Sequence, residues 1–424
     1  MSYYAYITTL KNLRKHSNAD RLQVGECFGN NVVVSLEYYE GQRGIYFPVD
    51  GKLSEEFAAA NNLVRKKDAE GKNIGGYLDP DKRNITAIKL RGEKSDGLFL
   101  PLKCLETFGD ISTLNDGDRI DTFNGHLICE KYIPRRNHSS GSSSGYKKSK
   151  ARQEVYPYFM EHIDTPQLRF SMENFKPGDI ICLTEKVHGT SSRNAYSYVI
   201  SYKKNIFDKI FHKEGKEITS MDYLIGTRRT VVENEKGGYY GSNGFRIKWG
   251  EKFQGKLEVG EEVFGEIAGY TEDMIPIMSS VDNIKTNDKN FIKKFGNITN
   301  FTYGCNENNK SRYFIYRMTY TSPSGYIIEY PWDLVKSRAE QMGFETVPEL
   351  DRFIYTTEED FMSRIKKYLD IPSTIDSSHI IEGVVVRVLN SPYFKFAKEK
   401  SWNFKVIEGI AKNEAENPDM EEAE

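Results

Sequence analysis

The chain has 424 residues, 59 Lys+Arg against 61 Asp+Glu for a formal charge of -2, and 38% hydrophobic and 13% aromatic residues. That length predicts two or three cores, the apolar content excludes wholesale disorder, and the balanced charge excludes a whole-molecule basic field, so any nucleic-acid surface has to be a local patch. Cys27, Cys104, Cys129, Cys182 and Cys305 form no CxxC pair, which argues against a disulfide framework or a cysteine zinc cluster and for a reducing compartment. With no signal-like apolar segment and no run of about eighteen apolar residues, the sequence reads as cytoplasmic and free of membrane.

In chain order, the first 134 residues carry short β-rich runs (NNVVVSLEY, QRGIYFPV, ITAIKLRG, DGLFLPL) punctuated by Gly, Asn, Asp and Pro. This pattern predicts a small all-β barrel over residues 1–134. Residues 135–152, RRNHSSGSSSGYKKSKAR, are Ser/Gly-rich with basic ends and are expected to be a flexible linker. Beyond them GDIICLTEK, YVISYKK, EEVFGEIAG, RYFIYRMTY, SGYIIEY and HIIEGVVVRV predict strands, whereas DLVKSRAEQMG and EDFMSRIKKYLD have helical spacing, so residues 153–412 are expected to form a mixed α/β domain. The acidic residues 413–424, NEAENPDMEEAE, are expected to be a disordered tail. The fold class expected overall is α+β.

The segment with the most chemical content is TEKVHGTSSR, Thr184–Arg193, directly after the apolar strand DIICL. A lysine at the end of a buried strand, beside a glycine that permits close approach, has an amine open to desolvation and so to use as a nucleophile. The plainer reading is a surface lysine leaving a strand before a turn.

Four further segments weigh against the plain reading. EKVHGT, FGEIAG (Phe264–Gly269), FIYRM (Phe314–Met318), EGVVVR (Glu382–Arg387) and NFKVI (Asn403–Ile407) resemble, in order, motifs I, III, IIIa, IV and V of the covalent nucleotidyltransferases, the superfamily of ATP-dependent RNA ligases, DNA ligases and mRNA capping enzymes. The resemblance spans roughly residues 155 to 412, and five ordered matches are far more specific than one. It implies a ligase adenylylation domain in which Lys186 attacks the α-phosphate of ATP to give lysyl-AMP. Glu185 would contact adenine through its backbone and Glu266 the ribose hydroxyls. Tyr316 would stack on the purine, with Phe314, two residues earlier on the same strand, as the alternative. Glu382 would bind the catalytic metal, Mg²⁺ or Mn²⁺, and Lys405 the α-phosphate. Motif V is usually KxK; here Asn403 holds the earlier place, and Lys395, Lys398 and Lys400 lie upstream. GTRRTVV, Gly226–Val232, resembles the ribose-contacting arginine motif, with Arg229 favoured over Arg228.

Spacing supports a compact domain: 80 residues separate Lys186 from Glu266, 50 separate Glu266 from Tyr316 and 23 separate Glu382 from Lys405. The stretch TEDMIPIMSSVDNIKTNDKNFIKKFG is expected to be an inserted loop. Only 19 residues follow Lys405, too few for the OB domain that DNA ligases and capping enzymes carry there, which favours an RNA ligase. NADRLQVGE, IYFPVDGKL and IKLRGEKSDGLFLP resemble the OB-like module that precedes the ligase domain in the RNA ligase 5-like group, and more distantly the tRNA-binding OB modules of aminoacyl-tRNA synthetases. Lys89, Arg91 and Lys94 would give that module a phosphate-binding face. FMEHIDTPQLR, Phe159–Arg169, resembles the lead-in to motif I, its His162 read as structural ahead of catalytic. The expectation is therefore a monomeric ATP-dependent RNA ligase acting on RNA ends or a nicked duplex. The alternatives are a non-catalytic RNA-binding or end-sensing protein with a relic nucleotidyltransferase domain, and a GTP-dependent capping-type transferase.

Overall fold

The computed structural model describes residues 3–67, 73–132, 154–203, 216–235 and 240–412. The expected linker and acidic tail lie outside these. The chain divides into two compact units, one of Met1–His138, Asp282–Asn297 and Trp402–Glu424, the other of Ser139–Val281 and Ile298–Ser401. The expected boundary is thus corrected in two places: residues from within 153–412 return to the first unit, including most of the stretch expected to be an inserted loop. That stretch holds the helix Lys289–Phe295, capped by Asp288 and burying Phe291 and Phe295.

In the first unit the strands Gly97–Pro101, Arg43–Pro48, Ala5–Thr9 and Arg119–Ile120 form a four-stranded sheet in that order, and Lys11–Lys15, Leu22–Cys27 and Asn30–Ser35 form a meander beside it in sequence. Ile7, Ile45, Phe47, Phe57, Leu105 and Ile128 share one core. Ala411–Lys412 pairs in parallel with Ala87–Ile88, so the end of the described chain completes a sheet begun by its first hundred residues.

The second unit is built on two sheets. The larger runs through Thr190–Lys203, Glu261–Gly269, Ser311–Thr321 and Ile327–Glu329, with Lys216–Gly226 paired to the first of these. The smaller is antiparallel, in the order Glu349–Ile354, Ile180–Glu185, Gly383–Val388, Phe396–Lys400. Period-two alternation sorts the smaller sheet's faces. Ile181, Leu183, Val384, Val386 and Ala397 join one core with Phe361 and Ile365 of the helix Glu358–Lys367; Thr184, Val385 and Lys398 point the other way and line a cavity. Phe361 and Ile365, four residues apart, fall on one helix face. Thr357 caps that helix through the Asp360 N–H, and Glu358, Glu359 and Asp360 occupy its first turn, where the helix dipole favours acids. Among the described residues no helix is long and apolar enough to cross a membrane.

Candidate active site

Lys186 lies where the chain leaves the smaller sheet and crosses, through Val187, His188 and Gly189, to the larger. Two glycines make this geometry possible. A Cβ on Gly189 would lie 2.4 Å from the Ile267 carbonyl oxygen, and one on Gly383 would lie 2.1 Å from that of Glu399. The Lys186 N–H donates to the Gly383 carbonyl at 2.9 Å, and the pairing of Glu185 with Val384 sets Lys186 beside Glu382.

A cavity of about 540 Å³ opens here, lined among others by His162, Lys186, Arg228, Glu266, Tyr316 and Lys398, a size suited to a nucleotide-sized ligand. Glu382, only 3% exposed, is held by three cation-capable groups: Lys186 Nζ at 2.9 Å, Lys400 Nζ at 3.1 Å and His188 Nδ1 at 3.4 Å. Burial opposes ionisation of Glu382, but Lys186, Lys400 and His188 outweigh it and keep the carboxyl well below the usual range. Glu266 behaves oppositely. Burial pushes it up to about 7, against the pull of Lys186, with Glu382 adding to the rise. Two carboxyl groups of one site thus differ in charge state near neutral pH, the expected result of unequal environments.

Tyr316 faces the cavity, its hydroxyl 3.2 Å from the Ser191 hydroxyl and its ring 5.1 Å from that of His162. Phe314 does not line the cavity, and the alternative stacking assignment is corrected. Two positions along the same strand it is 1% exposed, packed against Tyr303 and under the Arg312 guanidinium. Arg228 and Arg229 both line the cavity. Arg228 is the more enclosed, paired with Asp164, with Nε buried and unpartnered, and its charge bears on Glu266 and Tyr316; Arg229 is half exposed and 3.8 Å from Asp164. His162 sits against Tyr316 and Phe264, and burial together with Arg317 and Arg228 lowers it to about 3. A neutral ring offers no charge to a phosphate.

The largest departure concerns Lys405. It lies on the helix Trp402–Ile407, within the first unit, and is not among the residues lining the cavity. Lys398 and Lys400 stand instead on the strand Phe396–Lys400, paired with Val385 and Gly383. Being two apart they share a face, and they form the K-x-K spacing that the NFKVI segment lacks. Glu185 also lines the cavity, but its carboxylate turns away, accepting from the Ser373 hydroxyl at 2.5 Å and the Thr374 N–H and hydroxyl at 2.9 and 2.5 Å. Only its backbone is left for a ligand.

Two buried arginines to which the sequence reading assigned no role complete the lining. Arg246 reaches the Thr190 hydroxyl, and Arg387 donates to the Tyr316 carbonyl at 2.7 Å. Burial lowers both, Arg387 to about 10. Arg246 comes from the helix Gly244–Glu251 and Arg387 from the strand Gly383–Val388, and only the fold sets both against the cavity. The cavity is rich in cations and short of acids, the electrostatics that polyanionic phosphates require.

No protein-family model matches the chain and no curated protein matches it in sequence. Solved structures do. A variant of Naegleria gruberi RNA ligase with ATP and Mn superimposes with a TM-score of 0.58 at 16% identity, covering 97% of this chain and 99% of that one. An apo variant of the same ligase gives 0.59 and 16% over 96% and 97%, and the ligase with PPi 0.55 and 16% over 95% and 97%. Over almost its whole length, then, the chain has the mixed α/β fold of Naegleria gruberi RNA ligase.

Proposed function

We propose that the chain is an ATP-dependent RNA ligase that joins a 3′-hydroxyl to a 5′-phosphate through a lysyl-AMP intermediate. The observation that carries this reading is Lys186, at a strand end 2.9 Å from the buried Glu382, in a cation-lined cavity with Glu266 and Tyr316. The fold shared with a ligase solved with ATP and Mn, with AMP and Mn, and with PPi supports it.

In the first step the Lys186 nitrogen attacks the α-phosphorus of ATP; the N–P bond forms, the bond to pyrophosphate breaks, and the amine gives up a proton. An ammonium has no lone pair, so Lys186 has to leave its pair with Glu382 and release a proton to water before it attacks. Tyr316 stacks on the purine, the Glu185 backbone borders it, and Glu266 with Arg228 meets the ribose. Lys398 and Lys400, rather than Lys405, offset charge growing on the phosphoryl oxygens. A 5′-phosphate oxygen of RNA then takes the AMP from Lys186, and a 3′-hydroxyl attacks the activated phosphate and expels AMP.

Among the described residues no group of three or more His, Cys, Asp or Glu side chains gathers to hold a metal. The single buried carboxylate of Glu382 suits Mg²⁺, which takes one or two carboxylates and fills its shell with phosphate oxygens and water. Bound there it would neutralise triphosphate charge. The first unit, read as an OB-like module, would hold RNA phosphates on the hairpin where Lys94 pairs with Lys89, at a cytoplasmic, monomeric enzyme.

Incubation with labelled ATP and Mg²⁺ followed by denaturing electrophoresis tests the reading. Wild-type chain is expected to keep the label and Lys186→Ala to lose it; an alanine variant that still takes up label removes the assignment. Label from GTP rather than ATP would turn the reading toward a capping-type transferase.

A further inference from the structure

Lys186 stands on a stretch of backbone that neither sheet fully holds. Between Glu185, the last residue of one strand, and Thr190, the first of the next, the chain crosses from sheet to sheet, and Lys186 has a four-carbon side chain to fix as well. Two loops, remote in sequence, hold this crossover on either side of the lysine.

On its N-terminal side the Glu185 carboxylate takes all three donors of Ser373 and Thr374 described above. On its C-terminal side the His188 N–H donates to the Tyr303 hydroxyl at 2.7 Å. Tyr303 is wholly buried and takes a left-handed backbone, φ 52°, followed by Gly304 at 74°. Asp376 joins the two loops. Its Oδ2 accepts from the Thr302 hydroxyl and the Gly304 N–H, each at 2.9 Å, and its Oδ1 from the Ser378 N–H at 3.0 Å. His379, also buried, packs edge-on between Tyr303 at 4.5 Å and Phe301 at 5.4 Å, and Phe301 meets the His188 ring at 4.6 Å. Burial disfavours the Asp376 carboxylate, yet these bonds hold it down to about 2, so the junction stays charged across the working pH range.

We propose that Asp376, Tyr303, Ser373 and Thr374 are positioning residues for Lys186, clamping the backbone on both sides of the nucleophile so that its amine is presented in line to the α-phosphorus. None of them lines the cavity, so each acts through Glu185 or His188. The inference rests on the ligase reading and adds the parts that orient the nucleophile. An in-line displacement demands the amine within about 3–3.5 Å of phosphorus, and a misplacement of about 1 Å costs roughly a hundredfold in rate. Buried hydrogen bonds to a carboxylate are strong enough to enforce that placement.

The two halves of the ligation reaction separate this role from general support of the fold. Lysine adenylylation needs Lys186 as nucleophile, whereas joining an RNA whose 5′ end already carries AMP does not. Asp376→Asn, Tyr303→Phe and Thr374→Val are to be compared with wild type in single-turnover lysyl-AMP formation over a range of ATP concentrations, and in sealing of pre-adenylylated RNA. Each variant is expected to slow adenylylation at saturating ATP by roughly tenfold to a hundredfold, with half-saturation by ATP within about threefold and pre-adenylylated sealing within about threefold. Thr374→Ser, which keeps the hydroxyl, should recover most of the rate. Tyr303→Phe removes one oxygen and keeps the ring, so it tests the idea even if Asp376→Asn misfolds. Adenylylation at the wild-type rate in the Phe and Val variants overturns the proposal, as does a parallel fall of both reactions or a loss confined to ATP binding. If wild-type chain forms no adduct, the ligase reading fails first and takes this inference with it.

Discussion

Exchanging Lys398, Lys400 and Lys405 one at a time for alanine separates two alignments of the phosphate-contacting motif. Lys400 Nζ is 3.1 Å from Glu382 Oε1 and its side chain is 17% exposed, while Glu382 is nearly sealed. Removing one partner of a buried pair costs about 3–5 kcal/mol when the other charge is left alone. Here Glu382 keeps Lys186 at 2.9 Å and His188 at 3.4 Å, so Lys400→Ala should fall at or below the low end, about 2–3 kcal/mol. Lys398 lines the cavity, so Lys398→Ala removes one cation from the wall that would face the phosphates. Both should slow lysyl-AMP formation by roughly a hundredfold, the loss expected for one preorganised charge at a transition state. Lys405→Ala should stay within about twofold of wild type. Single-turnover incubation with labelled ATP gives the rates, and urea unfolding at pH 7 gives the stabilities. Normal adduct formation by Lys398→Ala and Lys400→Ala, together with failure of Lys405→Ala, would refute the strand-based assignment and restore the helical lysine.

Three other outcomes are expected. Tyr316→Ala should raise the ATP concentration needed for half-saturation by the roughly 1–3 kcal/mol of a base-stacking contact, whereas Phe314→Ala should cost about 3–5 kcal/mol of stability as a buried aromatic truncation and leave ATP half-saturation of the folded fraction unchanged; fluorescence titration and urea unfolding distinguish them. Glu266 has its folded value raised to about 7, so its contribution to stability is fully present below its unfolded value near 4.5 and is lost as pH rises through about 7; thermal unfolding at pH 6 and pH 8.5 should show a smaller alkaline loss in Glu266→Gln than in wild type, and equal losses would show that Glu266 is not the titrating group. Lys89→Ala combined with Lys94→Ala should weaken RNA binding and lower the slope of log affinity against log salt by about two without changing lysyl-AMP formation, and an unchanged slope would take those lysines out of the RNA surface.

The part of the site that could be read from sequence is the part written in contiguous segments. DIICL followed by EKVHG, and EGVVVR after an apolar run, each place a candidate residue at a strand end, FGEIAG places Glu266 within a strand, and the strand pairing then brings Lys186 and Glu382 together. Where the reading missed, the deciding contact is non-local. NFKVI matches an apolar pattern around a lysine, but Phe404, Val406 and Ile407 bury a helix face. The K-E-K of Phe396–Lys400 becomes visible as a pair only once its strand is set against Gly383–Val388. Phe314 and Tyr316 have equal claims by strand period, and the choice is made by Tyr303, which covers one of them. The domain boundary misled because a chain can leave a unit and return to it, as Asp282–Asn297 and Trp402–Lys412 do, and no local composition marks the return. Arg246 had no motif, and Arg387, at the end of EGVVVR, had no role assigned to it; the meaning of both comes from burial beside a cavity.

The charge arrangement around Glu382 implies an order of events. Lys186, Lys400 and His188 are all directed at one carboxylate, so on the ligase reading the proposed nucleophile would rest in an ion pair. A triphosphate entering a cavity lined by Arg228, Arg246, Arg387 and Lys398 brings oxygens that compete for the same cations, and a divalent ion arriving with it competes for the carboxylate. On the ligase reading either competition would loosen Lys186 from Glu382, leaving its ammonium to release a proton to water before attack. On the ligase reading the resting pair would couple activation of Lys186 to substrate arrival. On this view Glu382→Gln should do more than weaken metal binding: it should leave Lys186 poorly anchored, and extra Mg²⁺ should restore little of the lost adenylylation, whereas a carboxylate whose only task is to bind metal would let high Mg²⁺ recover much of it.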